Sequence, residues 1–250
     1  MALRRELKNQ GNWLFKYRSY VPLAVLVIGA GLIIYSEFNP EVSFIKETPY
    51  ENIFEVFCIV VSLFGLYIRI ITVGHTPVNT SGRNASKQIA DTLNTTGMYS
   101  AVRHPLYLGN FFMWLGPTLL TGNFWFIIAF CLFYWVYYER IMYAEEQFLK
   151  KIFGKIYTDW AKNVPAFIPS FKNYKKPNLP FSWKKILKKE KNGFAAIFLL
   201  FTFLDITGEL INGRTDFNYY LIGICILTSL LYLILKYLKW NTNLLNEEGR

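Results

Sequence analysis

Leu106-Tyr-Leu-Gly-Asn-Phe-Phe-Met-Trp-Leu-Gly-Pro-Thr-Leu-Leu120, then Thr121-Gly122-Asn123, then Phe124-Trp-Phe-Ile-Ile-Ala-Phe-Cys-Leu-Phe-Tyr-Trp-Val-Tyr-Tyr138 is the stretch that decides the fold. Two apolar arms of 15 residues are joined by a turn of three. At about 1.5 Å of rise per residue each arm reaches about 22 Å, short of the roughly 30 Å hydrocarbon core of a bilayer. Neither arm crosses comfortably alone, so the pair reads as a tight helical hairpin that stops short of the far surface.

Four longer apolar stretches flank the hairpin: Tyr20 to Ser36, Ile53 to Val73, Phe194 to Ile211 and Tyr219 to Leu238. Each is near the length a spanning helix needs, with Glu55, Arg69 and Lys236 placed near ends where long side chains reach water. The composition agrees, because 53% hydrophobic and 18% charged residues exclude an ordinary soluble core. A net charge of +10 then points to an anionic membrane surface, and nucleic acid is excluded because no aromatic platform or binding motif accompanies the charge. Cys58, Cys131 and Cys225 sit inside apolar runs as small buried hydrophobes, and with His75 and His104 the only histidines no metal site is expected. Gly29-Ala30-Gly31 reads as a close-packing spot in mid-membrane. The basic N-terminus lacks a small-residue cleavage site after its first apolar run, which makes that run a retained anchor.

Lys and Arg concentrate in cytoplasmic loops. With the N-terminus inside, the outer segments Glu37 to Asn52, Thr121 to Asn123 and Asn212 to Asn218 hold only Lys46 and Arg214 of the 27 basic residues. The expected fold class is therefore an all-α polytopic membrane protein of about six membrane helices, short hairpin included, with both termini cytoplasmic. Its membrane is expected to be a bacterial-type inner membrane or an endoplasmic-reticulum-like one, with the working face towards the cytoplasm.

Two polar pieces between helices share that face. The first, Gly74 to Arg103, is rich in turn formers and hydrogen-bonding side chains and leads into Pro105, a favoured first-turn residue. It reads either as a solvated junction or as a functional loop on a rigid scaffold. The second, Glu139 to Lys191, carries Glu145-Glu146 and then Phe148, Ile152, Ile156 and Trp160 at i, i+4 spacing, the pattern of an amphipathic helix along the membrane surface. The two carboxylates either solvate its start or neutralise a cationic ligand.

Taken together, Thr96-Gly97-Met98-Tyr99, Arg103-His104-Pro105-Leu106-Tyr107-Leu108-Gly109, Glu145-Glu146 with Leu149, Phe153-Gly154, Tyr157 and Pro165 to Pro169 resemble one known family. In order and spacing, over roughly Val56 to Ser170, the match is to the integral-membrane isoprenylcysteine carboxyl methyltransferases and phospholipid methyltransferases. The resemblance implies transfer of a methyl group from S-adenosylmethionine to a lipid or lipid-linked acceptor. It implies cofactor contacts at Asp91, Thr92, Leu93, Asn94, Tyr99, His104, Pro105, Leu106, Tyr107 and Glu145, with Glu146 beside it and a further amide contact near Asn84 or Gln88. Arg103 and His104 are the candidate catalytic groups. Arg140 is a candidate acceptor ligand, although the family places that Arg four residues before the Glu, where this chain has Ile141; the offset of one residue swings it about 100° around a helix.

These residue types suit such a cofactor, which carries a sulfonium, an ammonium, a carboxylate and an adenine plane. Tyr99 and Tyr107 can attract the sulfonium through their ring quadrupoles, for about 0.5 to 2 kcal/mol depending on desolvation. Glu145 can neutralise the ammonium, and Arg103 or His104 can hold the carboxylate by charge-assisted hydrogen bonds. Placement of the methyl group in line with the nucleophile then does most of the catalytic work. The soluble methyltransferase fold is excluded by the lack of strand signals around a glycine loop.

The chain divides on this reading into a core at 1–171 with cofactor motifs at 84–110 and 139–170, a polybasic connector at 172–191, and a C-terminal helical pair at 192–250. Eight lysines between Lys172 and Lys191 are expected to dock on anionic lipid headgroups at about 1 kcal/mol each. Asp205 and Glu209 share one face of the first C-terminal helix and are functional suspects as intramembrane carboxylates. A phosphate, a carboxylate and a phospholipid amine all stand as acceptors, with the anionic ones favoured because an amine requires a base. Two other readings stand beside this one. Membrane sterol reductases that use NADPH resemble the region but carry Asn and Glu where this chain has Leu106 and Asn110. A non-enzymatic membrane scaffold would need neither His104 nor Glu145.

Overall fold

The computed structural model describes residues 2–18, 20–80 and 89–250. Their regular structure is helical: α1 (Ala2–Tyr17), α2 (Val21–Phe38), α3 (Glu51–Val73), a single turn α4 (Met98–Ala101), α5 (Pro105–Leu120), α6 (Phe124–Ala161), α7 (Trp183–Ile211) and α8 (Tyr219–Asn241). Among the described residues α3, α6, α7 and α8 are long and apolar enough to cross a membrane, and a fifth crossing results if Ala2–Tyr17 and Pro22–Phe38, bent by 67°, form one broken span. The chain is a multi-pass helical membrane protein. The expected count of six treats α2 and the 16-residue α5 as separate crossings.

Local chemistry sets the boundaries. Pro105 opens α5, where its missing N–H costs no hydrogen bond. Asn123, Ser182 and Asn218 each accept a backbone N–H with the side chain at the starts of α6, α7 and α8. Gly122, at φ 59°, closes the hairpin in a backbone conformation that favours glycine, and its carbonyl accepts the Phe44 N–H at 2.9 Å. The hairpin tip is thereby held against the segment that follows α2.

Two features depart from the sequence reading here. First, α6 does not end at Tyr138: no Gly or Pro interrupts 125–153, so the helix continues through the polar stretch and breaks only at Gly154 (φ 54°, ψ −120°). The expected surface helix is the far part of α6. Second, close helix packing lies between α3 and α5 rather than at Gly29-Ala30-Gly31. A Cβ on Gly65 would stand 2.4 Å from the Gly109 carbonyl oxygen, and one on Gly116 would stand 2.4 Å from that of Cys58. Gly31 meets no described atom within 4 Å, and Gly29 is in ordinary contact with Phe126. Small residues let two backbones approach in an environment where apolar burial against lipid gains little.

Three clusters form the core, the smallest of them Ile68, Met98, Val102 and Leu108. Cys58, Leu66, Ile197, Phe198, Phe201 and Leu221 weld α3 to α7 and α8. Phe130, Tyr134, Tyr137, Tyr138, Ile141 and Met142 on α6 pack with Leu14 and Phe15 of α1 and Tyr107 and Phe111 of α5. On α1, Gly11 lies against the backbone of Arg140, where any side chain would collide. The polar segments gather at one end of the bundle: Ser182 donates to the Gly74 carbonyl, Gly97 to that of Lys175, and Val78 to that of Gly249.

At that end the polybasic stretch differs from a solvated connector. From Trp183 onward it is the start of α7, with Lys185 and Lys191 buried. Lys185 Nζ donates to the Thr76 and Pro77 carbonyls at 2.6 and 3.0 Å and to Thr76 Oγ1 at 2.9 Å. Glu190 is buried as well, and Arg69, expected near water, points inward to it. At the opposite end, Asp205 and Glu209 line a cavity of about 120 Å³ with Glu37, Lys46, Glu55 and Arg214.

Candidate active site

The site is built on the backbone before α5. Arg103 N–H donates to the Pro165 carbonyl at 2.8 Å, His104 N–H to that of Ala166 at 3.2 Å, and Ser170 N–H to that of Ala101 at 2.9 Å. The Pro165 to Pro169 run thus straps the Arg103-His104 dipeptide, and Pro105 keeps His104 (φ −121°, ψ 60°) out of the helical region. Trp160 Nε1 adds a bond to the Tyr99 carbonyl at 3.2 Å.

His104 lies between the two carboxylates of α6. Its Nδ1 is 3.5 Å from Glu145 Oε2 and its Nε2 is 3.2 Å from Glu146 Oε1, with the imidazole 5% exposed. Burial alone pulls the imidazole pKa down, but the hydrogen bonds and charges of Glu145 and Glu146 outweigh it and hold the value above the ordinary 6.5. The ring is therefore favoured as an imidazolium that donates from Nε2 to Glu146 and faces the Glu145 charge through Nδ1. Arg103 Nε stands 3.3 Å from the same Glu146 oxygen, an ion pair without hydrogen-bond geometry.

Tyrosines wall the cluster. The Tyr107 ring stacks on His104 with centroids 5.7 Å apart and meets Tyr138 at 4.9 Å, and Tyr138 stacks on Tyr134 at 4.2 Å. Tyr134 Oη donates to the Tyr107 carbonyl at 2.7 Å. Burial and the Glu145 charge push the Tyr99 phenol well above its ordinary range, against opposing effects from Arg69 and from the Asn94 side chain. Tyr99 is therefore a neutral phenol, able to offer a ring face and a donor.

Of the residues singled out in the sequence, the structure brings together Arg103, His104, Tyr107, Glu145 and Glu146, with Tyr99 close enough to feel Glu145 and Asn94. Pro105 and Leu106 contribute the first turn of α5. Asp91 and Thr92 are exposed, and Asp91 accepts a bond from Asn79 Nδ2 at 3.0 Å. Leu93 is half-buried in the same stretch. Asn84 and Gln88 lie outside the described residues. Arg140 is not brought in: it pairs with exposed Glu139 at 2.9 Å, while Ile141, fully buried, occupies the inward position. Sequence reasoning missed Asn110, which takes a bond from Arg69 Nη1 at 2.7 Å, because a partner 41 residues away leaves no local signal.

Fold and site together define a polytopic helical membrane protein with a charge-paired polar site at one end of its bundle. Residues 56–156 match the family model for phospholipid methyltransferase. Relatives named protein-S-isoprenylcysteine O-methyltransferase include one from Schizosaccharomyces pombe, 42% identical over 87 residues, which are 34% of this chain and 36% of that one. One from Xenopus laevis is 30% identical over 152 residues, 58% of this chain and 51% of its own. Protein-S-isoprenylcysteine O-methyltransferase B from Arabidopsis thaliana is 35% identical over 119 residues, 44% and 59% of the respective chains. The matched segments span between about a third and three fifths of these relatives' lengths. No solved structure matches the chain at a significant level. The central region is similar to the isoprenylcysteine carboxyl methyltransferases and phospholipid methyltransferases, the family its motifs resemble.

Proposed function

We propose that the chain transfers a methyl group from S-adenosylmethionine to an oxygen of a lipid or lipid-linked acceptor, a phosphate or carboxylate before a phospholipid amine. The observation that carries this reading is the convergence of Arg103, His104, Glu145 and Glu146 against the Tyr99 and Tyr107 rings, inside the matched region.

The residues present fit the cofactor. Arg103 Nε and Tyr157 Oη are buried without a hydrogen-bond partner among the described residues, so the cluster retains polar capacity. Glu145 is the group for an ammonium, Arg103 for a carboxylate, and the tyrosine faces for a sulfonium. Bound there, S-adenosylmethionine supplies the electrophilic methyl group. The chain's own contribution is orientation and exclusion of water by the aromatic wall.

His104 also supports the choice of acceptor. Held between two carboxylates as an imidazolium, it donates hydrogen bonds and is a poor base. A phosphate or carboxylate oxygen needs no proton removed, whereas an ammonium does. The relatives' names, which specify O-methylation, point the same way.

The working end is assigned to the cytoplasmic face because basic residues gather there. Exposed Lys172, Lys175, Lys176 and Lys184, set among exposed Phe171, Tyr174 and Trp183, suit an anionic lipid surface. Calorimetric titration of the detergent-purified chain with S-adenosylmethionine, S-adenosylhomocysteine and NADPH tests the class, with His104→Ala and Glu145→Ala as controls. Binding of NADPH without S-adenosylhomocysteine would return the chain to the reductase reading. Lipid mass spectrometry of cells with and without the protein should show one lipid class shifted by one methylene.

A further inference from the structure

The run from His104 to Gly109 ends against a buried ion pair that joins α3 to α7. Arg69, on α3, donates from Nε and Nη2 to the two oxygens of Glu190 on α7, both at 2.8 Å, and from Nη1 to Asn110 Oδ1 at 2.7 Å. The side chains are 13% and 4% exposed. A Cβ on Gly109 would fall 2.6 Å from Arg69 Cγ, so the guanidinium stem lies directly against the end of the run. The Arg69 charge also reaches the Tyr99 phenol, where it opposes that of Glu145. Glu190 lies outside residues 56–156, on the first helix of the C-terminal pair.

A fixed guanidinium at this place is an obstacle for a cationic ligand. In a medium of effective dielectric about 20, a unit charge about 10 Å away changes binding of a cation by about ten-fold. Glu190 meets Arg69 in the bidentate geometry that neutralises it most completely. A weld between helices would need only some matched pair, but a site for a sulfonium needs this cation cancelled.

We propose that Glu190 is the counter-charge that lets the site accept a cationic cofactor, and that through Arg69 it positions Asn110 beneath the His104 to Gly109 run. The proposal rests on the S-adenosylmethionine reading and extends the site into α7. Glu190 and Arg69 are positioning residues: neither is placed in contact with the cofactor.

S-adenosylmethionine and S-adenosylhomocysteine separate charge from packing, because they differ by the methyl group and the sulfonium charge it confers. Dissociation constants for both, measured by calorimetry on the full chain in detergent, give a ratio that a general loosening of the site leaves unchanged. Glu190→Gln should weaken S-adenosylmethionine about ten-fold relative to S-adenosylhomocysteine, and Arg69→Gln should shift the ratio the other way. The double variant Arg69→Gln/Glu190→Gln should return it to within about two-fold of the parent. A ratio unmoved in either single variant, or moved in the same direction in both, overturns the proposal. So does a double variant whose ratio departs from the parent, which keeps the test decisive if one single variant does not fold. A parent chain that binds neither ligand would instead sink the cofactor reading itself.

Discussion

His104 Nε2 and Glu146 Oε1 lie 3.2 Å apart, although 42 residues separate them and they belong to opposite arms of the hairpin. The contact closes the polar end of the α5–α6 pair. It makes the protonation state of one histidine a property of the fold as well as of the site.

A pH dependence of stability follows. Because the folded pKa of His104 is raised above its ordinary 6.5, its contribution is fully present below that value and is lost as pH rises through the higher folded one. The parent chain should therefore lose melting temperature over that window more steeply than a His104→Asn variant. Thermal unfolding in detergent at stepped pH measures the difference, and parallel slopes would remove the coupling.

The α3–α5 contact sets a second expectation. A methyl group at Gly109 meets the Arg69 stem at 2.6 Å and the Gly65 carbonyl at 2.8 Å, so Gly109→Ala forces the helices apart. The cost should be about 1 to 3 kcal/mol, the range for overpacking. Gly31→Ala, at a position with no described atom within 4 Å, is the control and should leave the melting temperature within about a degree.

Much of this architecture was legible because apolar length is a strong signal. The stretches Ile53 to Val73 and Tyr219 to Leu238 lie inside helices only a few residues longer. The extent of α6 was not legible, since a change from apolar to charged residues at Glu139 marks a change of surroundings and not an end to backbone hydrogen bonding. The ends of α5 and the start of α6 could be read from Pro105 and from the Thr121-Gly122-Asn123 turn. The Arg69 to Glu190 pair could not, because it joins positions 121 residues apart and each looked like an ordinary charge near a membrane boundary. In the site, the two motifs announced themselves by residue type, while the strap at Pro165 and Ala166 works through backbone atoms that composition cannot reveal.

Arg103 and Arg140 should part company on substitution. Arg103 belongs to the His104 and Glu146 cluster, whereas Arg140 is paired with an exposed carboxylate. Arg140→Ala should change the S-adenosylhomocysteine dissociation constant by less than about three-fold, as expected of an exposed pair. Arg103→Ala should raise the S-adenosylhomocysteine dissociation constant by ten-fold or more, at about 1.5 to 3 kcal/mol for a charged hydrogen bond. A large effect at Arg140 with none at Arg103 would reverse these assignments.

The two adjacent carboxylates are expected to do different work. Glu146 is shared by Arg103 at 3.3 Å and His104 at 3.2 Å, so its charge neutralises two cations at once. Glu145 touches His104 at 3.5 Å, a length that contributes little as a hydrogen bond, and it is the more exposed of the two. A ligand ammonium can therefore take Glu145 while Glu146 keeps Arg103 and His104 in register. Glu145→Gln should leave the melting temperature nearly unchanged and weaken S-adenosylhomocysteine by about ten-fold or more, the loss of one charged hydrogen bond. Glu146→Gln should lower the melting temperature and flatten its pH dependence, because His104 loses its nearer carboxylate. Calorimetry and thermal unfolding on the same preparations read both quantities. Equal effects of the two substitutions on both would mean that the pair acts as a single acidic patch.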